Sequence, residues 1–316
     1  MVPVQDVVAD WEINTTCNLS CRYCFIQHRR NPARSQGEID PAGVAEGLDS
    51  TGLRWLVHIT GGEPFLQPGF VEVCRALTEN HRISINTNLS SPEVVSFARE
   101  VDPRGVAFVH CSLHLDQRRG ETGGFAESYH LLKDRGFRVF ASQVMYPGNL
   151  ERFEEPLRRL GEEGVPVMAK VFRGFIGPRR YPGAYSGKER KFISGYMDSV
   201  GGEDWFGELH LNPSMDREFL DGDLSFTGLP CAAGRRFVVM SPDGEAYRCH
   251  GDKRPLGNPL RVGVELLEDD RPCPAATCPC PYHGISFSGG TGTVTRDPFL
   301  AKAKRWARFV LRRTQP

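Results

Sequence analysis

Up to about residue 200, the apolar positions follow two alternating rhythms. Strand-sized apolar runs occur at Val7–Ile13, Leu53–Ile59, Ile83–Thr87, Val106–Leu113, Phe137–Met145 and Val165–Phe172. Between them the apolar residues recur at helical intervals, with polar residues filling the rest of each turn. The helices carry their own start signals. Asp40-Pro41 and Ser91-Pro92 each put a capping side chain before a proline at the first helical position. Asn149 is placed to cap a segment in which Leu150, Phe153, Leu157 and Leu160 share one face. Six strand–helix units in series predict an α/β fold, with parallel strands joined by helical crossovers over residues 1–200.

The pattern then changes. Residues 201–228 are rich in Gly, Asp and Ser, show little periodicity, and read as a connector over the mouth of the first unit. A second unit, 229–290, opens with Cys231 and an apolar strand, Phe237–Met240. Ser241-Pro-Asp-Gly244 has proline early and glycine late, as a tight turn prefers. The return strand, Glu245–Arg248, runs into Cys249-His250, so a hairpin is predicted. In the last stretch, 291–316, Lys302, Lys304, Arg305, Arg308, Arg312 and Arg313 accompany a narrow apolar stripe of Leu300, Trp306, Phe309 and Val310. This reads as a helix docked on its own domain with a solvated basic face.

Composition adds exclusions. The 39 basic and 39 acidic residues balance, so no global electrostatic signature of nucleic-acid binding exists. The apolar runs are too short for a membrane span, and the N-terminus lacks a secretory pattern. A cytoplasmic protein is therefore expected, and its ten cysteines point to metal ligation rather than a disulfide framework.

Three of those cysteines, Cys17, Cys21 and Cys24, lie in Thr16-Cys-Asn-Leu-Ser-Cys-Arg-Tyr-Cys-Phe25, directly after the first predicted strand. Three thiolates on one loop hold three corners of a [4Fe–4S] cube and leave the fourth iron open, whereas an electron-carrying cluster normally has four cysteines. A zinc loop would need a second short cysteine pair to close its tetrahedron, and none lies nearby. This spacing, with Tyr23 before the last cysteine, resembles the radical S-adenosylmethionine (SAM) superfamily. A second motif, His58-Ile-Thr-Gly-Gly-Glu-Pro-Phe65, follows the second strand and resembles that superfamily's Gly-Gly-Glu motif.

The resemblance implies a partial (βα)6 barrel with its site at the C-terminal ends of the strands. It implies a [4Fe–4S] cluster that chelates SAM and cleaves it to a 5′-deoxyadenosyl radical. Tyr23, Gly61, Gly62 and Glu63 would contact SAM, glycine allowing close backbone approach. By the same resemblance Ser112 would meet the ribose, and Lys170 or Gln143 the methionine carboxylate. Asn86, Asn88, His114, Asp116, Tyr146 and Arg173 also fall at strand ends, where each either faces the site or satisfies the barrel rim.

The C-terminal unit resembles the twitch or shortened SPASM extension of some radical SAM enzymes, a β-hairpin with an auxiliary iron–sulfur cluster. It has five cysteines, Cys231, Cys249, Cys273, Cys278 and Cys280, and one cube needs four. One set is Cys231, Cys273, Cys278 and Cys280, leaving Cys249 free to return a hydrogen atom to a substrate radical. In the other, Cys249 replaces one of these. A zinc site using His250 or His283 is the competing reading. The expected activity is epimerisation of an aminosugar, by resemblance to aminoglycoside epimerases. The alternatives are two-electron oxidation of an aminocyclitol alcohol, by resemblance to 2-deoxy-scyllo-inosamine dehydrogenase, and peptide modification. Peptide modification is the weaker expectation, because no leader-binding segment is seen before the first strand and the extension lacks seven cysteines. A molybdenum-cofactor cyclase is disfavoured by the lack of a glycine-rich tail. An electron carrier or cluster scaffold would have no need for the Gly-Gly-Glu motif. The expected partners are a polar, carbohydrate-like small molecule and an external reductant such as flavodoxin or ferredoxin, with neither nucleic acid nor membrane.

Overall fold

A computed structural model describes residues 6–24, 37–200, 214–221 and 226–275. Cys278, Cys280, His283 and the basic C-terminal segment lie outside the described residues, as does most of the connector.

The strands are β1 (Val7–Asn14), β2 (Trp55–Gly61), β3 (Arg82–Thr87), β4 (Val106–Ser112), β5 (Val139–Met145) and β6 (Val167–Val171). They pair in sequence order, each parallel to the next. The crossovers carry α1 (Pro41–Asp49), α2 (Phe70–Asn80), α3 (Glu93–Glu100), the short α4 (Leu115–Arg118), α5 (Gly123–Asp134) and α6 (Glu154–Glu162). This is the α/β layout of a partial barrel, and it explains the unbroken apolar runs, because strands covered on both faces need not alternate. Trp11, Trp55, Phe97, Phe108, Phe125 and Tyr129 fill the core.

Three strands, β2, β5 and β6, start two residues later than their apolar runs predict. Phe137 and Val165 are apolar because they seal helix ends. Gly136 (φ 89°) and Gly164 (φ 79°) take the left-handed conformation. The Phe137 N–H then bonds to the Leu132 carbonyl and the Val165 N–H to that of Leu160, as in a Schellman cap. Ser91 lies one residue further out than expected: the N-cap of α3 is Pro92, and the Ser91 hydroxyl accepts the Glu93 N–H at 3.3 Å from just before it. Asp40 and Asn149 make no side-chain cap bond; Asn149 instead leads into a 3₁₀ turn over Leu150–Phe153.

After β6 come a small hairpin, β7 (Gly174–Ile176) and β8 (Arg179–Tyr181), then α7 (Gly187–Ser199) and α8 (Ser214–Asp221). Ser186 and Glu189 form a reciprocal capping box on α7. Asp216 of α8 accepts the Val171 N–H at 3.1 Å, which occupies a donor on the edge of β6.

The C-terminal hairpin joins the barrel. β9 (Pro230–Cys231) is followed by β10 (Phe237–Met240), β11 (Ala246–Cys249), β12 (Asp252–Asn258), β13 (Gly263–Val264) and β14 (Arg271–Pro272). β10 pairs parallel to β1, with Val8 beside Phe237 and Trp11 beside Met240. One ten-stranded sheet therefore runs β13-β12-β11-β10-β1-β2-β3-β4-β5-β6. The predicted turn forms at Ser241–Gly244, where the Gly244 N–H bonds to the Ser241 carbonyl. The Trp11 indole N–H donates to that same carbonyl at 3.1 Å, pinning the hairpin tip to β1. Among the described residues no helix is long and apolar enough to cross a membrane.

Candidate active site

The cysteine loop leaves the C-terminal end of β1 and is anchored at once to the end of β2. The Gly62 N–H bonds to the Asn14 carbonyl and the Glu63 N–H to the Thr16 carbonyl, at 3.1 and 2.8 Å. The Asn14 amide donates back to the Glu63 carbonyl. A Cβ on Gly62 would lie 2.1 Å from the Thr16 oxygen, and one on Gly61 (φ 144°) 2.6 Å from the Asn14 oxygen. The glycine pair was expected to admit a ligand. Here its close approach is to the cysteine loop itself.

Glu63 is buried and accepts three hydrogen bonds: from the Thr87 hydroxyl, the Asn88 N–H and the Phe65 N–H, at 2.7, 2.7 and 3.2 Å. Burial pushes its carboxyl up to about 7, and the three donors oppose that rise. It thus welds the ends of β2 and β3. Asn88 continues the chain of contacts to Asn18 of the cysteine loop, at 3.1 Å.

A cavity of about 460 Å³ opens at this end of the barrel, a size suited to a small ligand. Cys17, Cys21 and Cys24 line one side, and Gly61, Gly62, Glu63, Ser112 and Lys170 also reach it. The Leu19 N–H points to Cys17 Sγ at 3.4 Å, and the Cys24 N–H closes a turn onto the Cys21 carbonyl. Burial pushes the Cys21 thiol up to about 12, so binding iron there releases a proton. Tyr23 stacks on His114 with ring centroids 5.9 Å apart, and its hydroxyl lies 2.8 Å from His114 Nδ1. His114 adopts a left-handed backbone (φ 53°). Burial, with Arg118 and Lys170 nearby, lowers its pKa to about 4, so the ring is neutral at pH 7. Its Nδ1 shares a hydrogen bond with the Tyr23 hydroxyl and stands 3.4 Å from Cys21 Sγ, the direction of each bond being set by the ring tautomer.

The remaining predicted contacts divide. Ser112 lines the cavity and donates to Asn86 at 2.9 Å. Lys170 lines it too; burial lowers its pKa, as does Arg173, while Asp216 and Asp10 oppose the change. Gln143 does not face the cavity. Its Oε1 accepts the Leu115 N–H and its Nε2 donates to the Val144 carbonyl, so this fully buried amide holds the turn after His114. Of the two residues expected at the methionine carboxylate, Lys170 lines the cavity and Gln143 does not. Asp116 is engaged by Arg152 at 2.7 Å.

His250, expected from sequence only as a possible zinc ligand, stands in the site. It lines the cavity, and its Nε2 is 2.8 Å from Asp10 Oδ2 on β1. Asp10 is itself buried, and its Oδ1 has no hydrogen-bond partner among the described residues. Burial raises the Asp10 carboxyl, but the His250 hydrogen bond together with the charges of His250, His58 and Lys170 more than offsets this and holds it below its ordinary range. Cys249 was expected to look into the barrel mouth, but it does not line the cavity. Its Sγ lies 4.0 Å from where a Cβ on Gly251 would stand, beside Ala275, on the flank of the extension. The strand end turns His250 inward and leaves Cys249 outside. The one available signal was the adjacent pair Cys249-His250, read only as a possible metal-ligand pair.

Residues 11–179, more than half the chain, match the profile of the Radical SAM superfamily, and the chain belongs to that family. It is 28% identical over 263 residues to the PqqA peptide cyclase of Ruegeria pomeroyi, covering 76% of this chain and 66% of that protein. It is 23% identical over 273 residues to the mycofactocin maturase MftC of Mycobacterium tuberculosis, covering 76% and 63%. The chain thus spans somewhat under two thirds of the length of these relatives. Among solved structures, native anSMEcpe with bound AdoMet has the same fold, with a TM-score of 0.56 at 16% identity over 81% of this chain and 79% of that one.

The family implies a [4Fe–4S] cluster with SAM, and the residues fit both. Three thiols share one cavity with a half-buried lysine and a backbone turn rich in polar groups. In the extension, Cys231 and Cys273 are buried, Cys249 is half-buried, and all three are thiols outside any disulfide. Among the described residues no three His, Cys, Asp or Glu side chains converge tightly enough to hold a single metal ion. A cube, by contrast, takes its thiolates at separate corners.

Proposed function

We propose that this radical SAM enzyme carries out a two-electron oxidation of a peptide, with the extension holding an auxiliary [4Fe–4S] cluster beside the cavity. The observation that carries the reading is His250. The extension contributes a wall of the barrel cavity, and the neighbouring residue in the chain is Cys249, a thiol of the auxiliary set. The similarity to a PqqA peptide cyclase and a mycofactocin maturase covers 76% of this chain, more than the barrel alone, and the former supports a peptide over an aminosugar.

When bound, the SAM cluster supplies the 5′-deoxyadenosyl radical that removes a hydrogen atom from substrate, and the auxiliary cluster supplies an acceptor for the second electron. Cys17, Cys21 and Cys24 hold the first cluster, and Cys249 belongs with Cys231 and Cys273 in the second. Lys170 offers a cation to the methionine carboxylate, and Ser112 a hydroxyl to the ribose. Tyr23 and His114 form the aromatic wall beside the cysteine loop. The Asp10 carboxylate accepts a hydrogen bond from His250 Nε2–H, so the ring presents a fixed edge to substrate. A flavodoxin- or ferredoxin-type reductant supplies the electron for SAM cleavage. Redox-neutral epimerisation would need the Cys249 thiol inside the cavity, where His250 stands instead.

The test uses the reconstituted holoenzyme with SAM, dithionite and a genetically encoded peptide library, run beside an aminoglycoside panel in deuterated water. The expected product is a peptide lighter by two hydrogens. A panel sugar that gains one deuterium with no oxidation would overturn the reading.

A further inference from the structure

Arg248 of the extension is charged, yet it is only 3% exposed. An arginine almost never enters a protein interior without partners for its fork of five donors. Here four contacts are in place. Nε donates to the Ala233 carbonyl at 3.1 Å, and Nη1 to Asp252 Oδ2 at 2.9 Å. Nη2 is shared between the Arg271 and Pro272 carbonyls at 3.0 and 3.2 Å. Room is made for its stem by Gly234 (φ 90°), where a Cβ would stand 3.1 Å from Arg248 Cγ and 2.7 Å from Leu267.

The partners of this one guanidinium follow the cysteines. Arg248 is the chain neighbour of Cys249. Ala233 is two residues after Cys231, and Pro272 immediately precedes Cys273. The same segments are tied by short-strand pairing, with Cys231 opposite Arg271 and the Cys273 N–H bonded to the Leu229 carbonyl at 2.8 Å. Cys273 Sγ lies 3.7 Å from the Ala275 carbonyl, and Ala275 and Cys249 flank the same glycine, Gly251. Three thiols from distant parts of the sequence are thus mounted on backbone that meets at Arg248.

We infer that Arg248 is the positioning residue of the auxiliary thiolate set: it holds the segments bearing Cys231, Cys249 and Cys273 in register and sets a fixed positive charge beside the cluster they bind. This rests on the reading that the extension carries a cluster. The role is more specific than general packing. A hydrophobic side chain would fill the space, but only a planar fork reaches three carbonyls and a carboxylate at once.

The test reads iron and the electron paramagnetic resonance (EPR) spectrum of the dithionite-reduced, reconstituted full chain. The parent should bind about eight irons, two cubes' worth. Arg248→Gln should fall to about four, while still forming 5′-deoxyadenosine from SAM without substrate, which shows the barrel intact. Arg248→Lys keeps the charge opposite Asp252 but not the fork. It should restore at least half of the lost iron, with altered g values for the auxiliary signal. Arg248→Gln with about eight irons and the parent spectrum would overturn the inference. So would loss of both clusters together, since Arg248 would then support the fold as a whole. A parent with all cysteines present that binds only about four irons would instead refute the auxiliary cluster itself.

Discussion

Single residues in this protein are explained mostly by what crowds them. Gly62 is the clearest case. Its missing side chain lets the cysteine loop lie against β2, so Gly62→Ala should destabilise the apo-protein by about 1–3 kcal/mol in urea unfolding and lower iron loading. An unchanged midpoint would show that the loop is not docked there. The buried histidines give a pH dependence. His58 bonds to Ser84 at 2.8 Å and His110 to Ser142 at 2.7 Å, and burial lowers both pKa values from 6.5. Their stabilisation is complete above pH 6.5, where the unfolded chain is neutral too. It is lost as the pH falls below 6.5 toward the depressed folded values, because the unfolded state then binds protons that the folded state refuses. His110→Gln keeps a polar atom near Ser142 and removes one of these titrations. Between pH 7.5 and 5.5 it should shed about 1.4 kcal/mol of the wild-type loss, read from urea midpoints. At this scale the cysteine loop was legible because metal ligands must recur at fixed spacing. His250 was not, since its partner Asp10 is 240 positions away in the chain.

At the scale of elements, the six strands were legible because each is an apolar run bounded by a turn signal. Their starts were less so, since Phe137 and Val165 serve helix caps and look identical to strand residues in a one-dimensional pattern. Gly164→Ala should cost about 1 kcal/mol by forcing a side chain into a left-handed conformation, whereas Gly161, whose α-helical site has open space around it, should tolerate Ala without loss. Thermal melts of the two variants make the comparison. The hairpin was also legible, but its docking was not. Parallel pairing of β10 with β1 is decided by edges that a local pattern does not encode. Phe237, fully buried at that junction, should cost about 3–5 kcal/mol as Ala and should weaken barrel and extension together. Two separate unfolding transitions for Phe237→Ala and wild type alike would show that the sheet is not one unit.

For the whole molecule, the consequence of that shared sheet is functional. The barrel supplies three thiols, a Gly-Gly turn and Lys170, and the extension closes the same cavity with His250. Cys231, Cys249 and Cys273 lie on segments gathered by Arg248. Composition could indicate an iron–sulfur protein and motif order a radical SAM barrel. Neither could say which cysteine faces substrate, because that depends on which way one strand end turns. The measurement that tests the account most directly replaces Cys17, Cys21 and Cys24 together by Ala and follows SAM cleavage and iron under anaerobic reduction. The account predicts no 5′-deoxyadenosine and about four irons still bound per chain. Continued cleavage of SAM by the triple variant would contradict it.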